Sequence, residues 1–169
     1  QEGEDRAAQA WRLAALQLAS SDEQARDEGV DWLSWALERA PDEERAMSLL
    51  RSALDAHPAQ DSVLSLYERL AREGGDDARV LDALTLRARQ EGVGMDVLRE
   101  GAARAAAASD GAAERWLLRR AVEVAREREA PSEAVWAMVS LSERLRAEGA
   151  YAEALEWLIA AKQSADPDE

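Results

Sequence analysis

The sequence predicts an all-α protein of about nine helices. Alanine and leucine dominate its hydrophobic 47%, while it contains one isoleucine, one threonine and no phenylalanine. Residues that favour strands are therefore scarce, and helix formers are abundant. Breaks made of glycine, proline or Ser-Asp divide the chain into segments of helical length, and connections this short make neighbouring helices antiparallel.

Helix starts and ends are readable in the first third of the chain. Residues 4–20 carry apolar side chains every three or four positions, the spacing of a helix that buries one face. The pair Ser21-Asp22 offers caps for a second helix, which ends at Ala40. The segment Pro41-Asp42-Glu43 begins a third helix, because proline fits the first turn and acids favour the positive end of the helix dipole. That helix ends at His57-Pro58.

Six further helices are predicted between short breaks. Their ranges are 61–73, 76–91, 95–108, 110–129, 132–148 and 151–164. The breaks between them contain residues that interrupt helices, namely Gly74-Gly75, Gly92-Val93-Gly94, Ser109-Asp110-Gly111, Ala130-Pro131 and Gly149.

Two stretches of the chain carry the same sparse pattern. The first comprises Val30, Leu33, Ser34, Leu37, Ala46, Leu50, Ala53 and Pro58, and the second comprises Met138, Leu141, Ser142, Leu145, Ala154, Leu158, Ala161 and Pro167. All positions except the proline superimpose without a gap. The shared spacing is large-x2-Leu-small-x2-large, then Ala-x3-large-x2-Ala, then Pro.

This spacing resembles the signature of the tetratricopeptide repeat (TPR) family. The resemblance implies a right-handed α-solenoid of antiparallel helical hairpins in a single domain over residues 1–169. Its expected parts are a leading helix and linker at 1–26 and repeats at about 27–60, 61–94, 95–134 and 135–168. For the two divergent middle repeats, HEAT-like or other helical-hairpin stacking is the structural alternative.

Counting forward by one repeat length predicts the core of the middle repeats. The core positions are Leu64, Tyr67, Ala71, Leu84, Leu98, Ala102, Ala105, Leu118 and Ala121. The chain begins at Gln1, with neither an initiator methionine nor a signal peptide, and residues 165–169 look like a connection into another repeat. We therefore expect it to be part of a longer protein.

The resemblance also implies a binding scaffold for a protein or peptide, with a concave face lined by the first helix of each hairpin. Counting by register, the residues predicted for partner binding on this face are Trp35, Arg69, Arg72, Arg99, Trp136 and Arg146. Tryptophan and arginine are enriched at binding hot spots. The alternative is that Trp35 and Trp136 fill the inter-helix core, where we expect the other four tryptophans, Trp11, Trp32, Trp116 and Trp157, to lie.

Composition excludes several other classes of function. A formal charge of −14 repels nucleic acid, and no apolar run is long enough for membrane insertion. The chain has no cysteine and one histidine, His57, so we expect no metal or other cofactor. A cytoplasmic location is favoured.

The sequence predicts that the chain is not an enzyme. Its paired carboxylates fall at helix starts and in linkers, where the helix dipole explains them. Ser34 and Ser142 occupy the small-residue position of the repeat, so packing explains them better than nucleophilic chemistry. The functional alternative is a regulatory or substrate-recruiting module of a larger enzyme whose catalytic domain lies elsewhere; a catalytic helical domain has no supporting residue constellation.

Overall fold

The computed structural model describes residues 2–165, which form α-helices, one 3₁₀ turn and no β-strand. The helices are α1 Glu2–Leu18, α2 Glu23–Arg39, α3 Glu43–Ala56, α4 Asp61–Glu73, α5 Asp77–Ala88, α6 Met95–Ala107, α7 Gly111–Glu127, α8 Val135–Ala147 and α9 Tyr151–Ala165. The all-α prediction is therefore confirmed for this part of the chain. Pro167 and the expected connection at 166–169 lie outside the described residues.

The predicted helix bounds agree with the structure to within a few residues, and those of α4 agree at both ends. One difference has a clear cause. The segment predicted to begin the eighth helix is a 3₁₀ turn, Pro131–Ala134, and α8 begins only after it. Proline has no N–H to donate, and the amide of Glu133 bonds to the carbonyl of Ala130 three residues back.

Helices that are adjacent in sequence pack as pairs. The chain divides into two compact units, Gln1–Leu86 and Arg87–Glu169. In the first unit α1 packs along α2 and α3 along α4, while α2 also contacts both α3 and α4. In the second unit α6 packs along α7 and α8 along α9, and α7 also contacts α8.

The core is made of small and aliphatic side chains at the predicted repeat positions. Ala46 and Ala154, the equivalent alanines of the two matching stretches, are both buried. So are all nine core positions predicted for the middle repeats, which are Leu64, Tyr67, Ala71, Leu84, Leu98, Ala102, Ala105, Leu118 and Ala121. The register deduced from the sequence therefore identifies buried positions on α3 to α7 and on α9.

One equivalent pair of the two matching stretches differs in burial. Leu50 and Leu158 occupy the same position of the two matching stretches, yet Leu50 is fully buried and Leu158 is 46% exposed. The cause is a missing neighbour. In the first unit α4 packs along α3, which carries Leu50, whereas within residues 2–165 no helix covers the Leu158 side of α9.

The expectation that four tryptophans fill the core is only partly correct. Trp11 is buried and Trp157 is half-buried, but Trp32 and Trp116 are 40% and 38% exposed. Each of the exposed pair immediately precedes a buried leucine in sequence. Consecutive helical residues point about 100° apart, so a side chain next to the centre of the buried face lies at its edge.

Four helix ends share one hydrogen-bonding pattern, in which an amide bonds to a carbonyl five residues back. The amide and carbonyl residues are Asp76 and Ala71, Asp110 and Ala105, Ala130 and Ala125, and Ala150 and Leu145. The residue before each of these amides has a positive φ; it is glycine at 75 and 149, but Ser109 and Glu129 at the other two. This left-handed cap ends a helix and reverses the chain within a few residues.

Ion pairs join helices that lie about one repeat length apart in sequence. Glu44 on α3 pairs with Arg79 on α5 at 2.7 Å. The Arg79 guanidinium holds the pKa of Glu44 below its ordinary value, first by hydrogen bonding and then by its charge. Arg119 on α7 pairs in the same way with Glu153 on α9 at 3.2 Å. These pairs are solvent-exposed, so each contributes little to stability but offsets part of the negative charge.

Candidate partner-binding surfaces

The predicted site residue Trp35 belongs to an aromatic cluster on α2. Its ring meets Trp32 edge to face, with centroids 6.5 Å apart, and the guanidinium of Arg39 lies 4.0 Å from the Trp35 ring centroid. The helical spacing of residues 32, 35 and 39 places all three on one side of α2. Trp35 is half-buried, so this side of α2 presents indole surface next to a cation.

The two predicted arginines of α4, Arg69 and Arg72, are both exposed. Arg72 pairs with Glu68 one turn earlier, at 2.8 Å. Arg69 is also exposed, on the same helix. An anionic partner that binds here therefore has to compete with Glu68 for Arg72.

The second unit contains a cation stacked on an indole as well. The guanidinium of Arg99, on α6, lies 4.8 Å from the ring centroid of Trp136 on α8. Trp136 is half-buried, and its Nε1 is a buried donor with no acceptor among the described residues. The structure thus brings together two of the predicted site residues that lie 37 positions apart in sequence.

Arg99 also lines a surface cleft of about 760 Å³. The cleft is lined by Met95, Asp96, Arg99, Glu100, Ala103, Arg128 and Glu133. Arginine and carboxylate groups are mixed around its apolar side chains, and Arg128 is fixed by a 2.7 Å hydrogen bond to the carbonyl of Val93. This arrangement suits a short segment that presents both apolar and charged groups.

Arg146 does not lie beside Arg99 and Trp136. It is exposed in the last turn of α8, ten residues after Trp136, which corresponds to about 15 Å along the helix. Trp35, Arg69 and Arg72 belong to the first unit, and Arg99, Trp136 and Arg146 to the second. That all six share one concave face stays a prediction.

A second cleft was not predicted from the sequence. It has a volume of about 910 Å³ and includes Trp11, Arg39 and Arg45 in its lining. Arg45 lies over the ring of Trp11 at 4.7 Å, and the indole N–H donates to the carbonyl of Ala40 at 3.2 Å. Arg45 therefore covers one face of the Trp11 ring, and Ala40 accepts the hydrogen bond of its indole N–H. The register of the repeat gave no signal for this cleft, because it involves the linker between α2 and α3.

None of the helices in residues 2–165 is both long and apolar enough to span a membrane. In the same range, no three His, Asp or Glu residues are grouped so that they could hold a metal ion. No protein-family model, curated protein or solved structure matches the chain. What the chain does is therefore inferred from its own residues.

Proposed function

We propose that the chain is a TPR-like right-handed α-solenoid that acts as a protein–protein interaction scaffold, either holding a peptide or protein partner or bridging subunits of an assembly. One observation supports the proposed function as an interaction scaffold. In each unit, a tryptophan on a predicted groove helix is only half-buried and has an arginine guanidinium over its ring. Such pairs combine a large contact area with directional donors, which is the chemistry of binding hot spots.

The partner segment that suits these surfaces carries acidic and apolar residues. Its carboxylates accept hydrogen bonds from guanidinium groups such as those of Arg69 and Arg99, and its apolar side chains cover the indole rings. The chain as a whole has a charge of −14, which disfavours a strongly acidic partner away from these arginines. The fit therefore depends on local contacts at the stacked pairs.

The test is to select peptides from a displayed library on the wild-type chain and to measure their binding by fluorescence polarisation. We expect Trp35→Ala and Arg99→Glu each to weaken binding about tenfold, which is about 1.4 kcal/mol. Arg69→Glu combined with Arg72→Glu should weaken it as well and make the residual binding less sensitive to salt. Arg12→Glu and Arg126→Glu replace exposed arginines outside the predicted face and serve as matched controls.

Stability measurements decide between the groove and the core for Trp35. A groove residue leaves the free energy of unfolding nearly unchanged when it is replaced by alanine, whereas a core tryptophan costs about 3 to 5 kcal/mol. Selected peptides that respond equally to the controls and to the face variants would contradict the proposed surface.

A further inference from the structure

Helix α9 carries a continuous apolar stripe on its exposed side. Tyr151, Leu155, Leu158 and Ile159 are 70%, 58%, 46% and 50% exposed, and Lys162 follows them on the same side. Their spacing of four, three, one and three residues keeps them on one helix face. The adjacent side of α9, about 90° around the helix, packs through Ala154 and Ala161, which are buried. The stripe is therefore an apolar helix face without a partner within residues 2–165.

The equivalent face of α3 in the same chain is covered by a neighbouring helix. The gapless repeat aligns Leu155 with Met47 and Leu158 with Leu50, and both residues of α3 are buried. They are buried in the unit where α4 packs along α3. By equivalence, the stripe on α9 is a surface on which another helix docks.

The residues that flank the stripe on α9 are uncharged at two positions where the equivalent face of α3 carries charged side chains. On α3, Glu44 and Arg51 flank the apolar positions and pair with two residues of α5, Arg79 at 2.7 Å and Asp82 at 2.9 Å. The equivalent residues of α9 are Ala152 and Ile159, which cannot form ion pairs. A helix pair equivalent to α4 and α5 would therefore find no ion-pair partners at these two positions of α9, whereas a helix with a purely apolar face needs none.

The stripe itself is such a face, and four of its five residues are placed symmetrically. Tyr151 and Lys162, and likewise Leu155 and Leu158, lie at equal distances from one midpoint between residues 156 and 157. In an antiparallel pair of α9 helices, each Leu155 therefore meets Leu158 of the second copy. Each Tyr151 ring meets Lys162 of the second copy, which is a favourable cation–π arrangement.

We propose that α9 forms a symmetric, antiparallel contact with α9 of a second copy of this chain. Twofold interfaces of this kind, in which the same patch serves both partners, are the commonest in homo-oligomers. The inference is independent of the proposed peptide-binding function, since the stripe contains none of the residues assigned to that function.

The contact should be weak and should strengthen with salt. One helix face buries less than the roughly 800 Å² per partner of a standard interface, so the dissociation constant should be about micromolar or weaker. Each copy carries a charge of −14, so the two copies repel each other, and salt screens this repulsion over about 8 to 10 Å. Binding of an acidic peptide to the arginines of the predicted concave face should instead weaken with salt.

Sedimentation velocity over a range of protein and salt concentrations tests the proposal. The wild-type chain should show a concentration-dependent monomer–dimer equilibrium that shifts towards dimer as salt increases. Leu155→Glu combined with Leu158→Glu should raise the dissociation constant at least tenfold. Leu16→Glu is the matched control, because Leu16 is 71% exposed on α1, and it should leave the equilibrium unchanged. Circular dichroism confirms that each variant is folded.

The antiparallel orientation of the two α9 helices has its own test, which does not depend on the glutamate variants. The chain has no cysteine, so Leu155→Cys and Leu158→Cys each introduce a unique thiol. Under mild oxidation, a mixture of the two variants should cross-link faster than either variant alone, whereas Leu16→Cys chains should not cross-link at a comparable rate. A chain that stays monomeric at every concentration, a dimer that tolerates the double glutamate variant, or faster cross-linking within one variant would each overturn the proposal.

Discussion

The guanidinium of Arg26 donates two hydrogen bonds to the side-chain carbonyl of Gln60, from Nη2 at 2.8 Å and from Nε at 3.0 Å. Both residues are buried, and 34 positions separate them in sequence. Arg26 donates a third bond to the carbonyl of Ser20 at 2.9 Å, and Gln60 donates to Asp27 at 2.7 Å. The network joins the first turn of α2 to the residue that precedes α4.

Replacing Gln60 with alanine should destabilise the protein by about 2 to 3 kcal/mol, because it removes the acceptor of two hydrogen bonds from a buried cation. Urea unfolding followed by circular dichroism measures this loss. Ser62→Ala is the matched control: it removes a hydroxyl that donates to the exposed Asp27 and accepts a long 3.4 Å bond from Gln60, leaves both Arg26–Gln60 bonds in place, and should cost less than about 1 kcal/mol. Equal losses in the two variants would contradict a special role for the buried pair.

Gly29 allows α1 and α2 to approach closely, and Gly29→Ala should disturb this contact. A Cβ at position 29 would lie 3.0 Å from the backbone nitrogen of Leu18 and 3.1 Å from the Cβ of Gln17. Overpacking of this kind costs about 1 to 3 kcal/mol, and the better helix propensity of alanine offsets only about 0.5 to 1 kcal/mol. Thermal unfolding should show a net loss. Gly3→Ala, with open space around it, should show none.

Ala46→Leu and Ala154→Leu should each cost about 1 to 3 kcal/mol of stability, because both alanines are buried at equivalent positions where helices meet. Chemical unfolding of the two variants provides the comparison. Ala152→Leu adds the same volume at an exposed position of α9 and should change stability by no more than about 0.5 kcal/mol. Stability like that of the wild type in both core variants would show that the repeat register is wrong.

The pH dependence of stability should be altered by Tyr67→Phe. Burial raises the pKa of the Tyr67 hydroxyl, and the nearby carboxylate of Asp82, to which it donates at 3.0 Å, raises it further. The unfolded chain therefore loses this proton first, at about pH 10, and the wild-type protein loses stability as pH rises above that value. The variant should lose about 1 kcal/mol at neutral pH and show a shallower decline at alkaline pH. Urea unfolding at a series of pH values gives both quantities, and parallel curves would contradict the assignment.

Helical periodicity accounts for the core positions that were predicted correctly. A spacing of three and four residues decides which side of a helix faces inward, and the middle-repeat core follows from it. It does not decide which neighbour covers that side. Leu50 and Leu158 therefore have the same pattern and opposite exposure. A buried arginine such as Arg26 is also invisible to the pattern, because the acceptor of two of its hydrogen bonds, Gln60, lies 34 positions away.

The same limit applies to the candidate site. Asp96, Arg99 and Ala103 meet in one cleft because three- and four-residue spacings place them on one side of α6. The stacking of Arg99 on Trp136 joins two helices, and only the helix packing reveals it. Trp35 and Arg99 belong to different units, so helical spacing cannot relate them.

Packing between sequence neighbours also bears on how the chain folds. The largest helix–helix contacts join sequence neighbours, namely α1 with α2, α6 with α7 and α8 with α9. Such contacts close short loops, and proteins rich in local contacts fold within microseconds to milliseconds. Opening can then be local as well, beginning with the helix that has the least covered surface. Among the helices of residues 2–165, α9 has the fewest buried side chains, Ala154 and Ala161, so its amide hydrogens should exchange with solvent earlier than those of α3, although the two helices share the same alanine pattern.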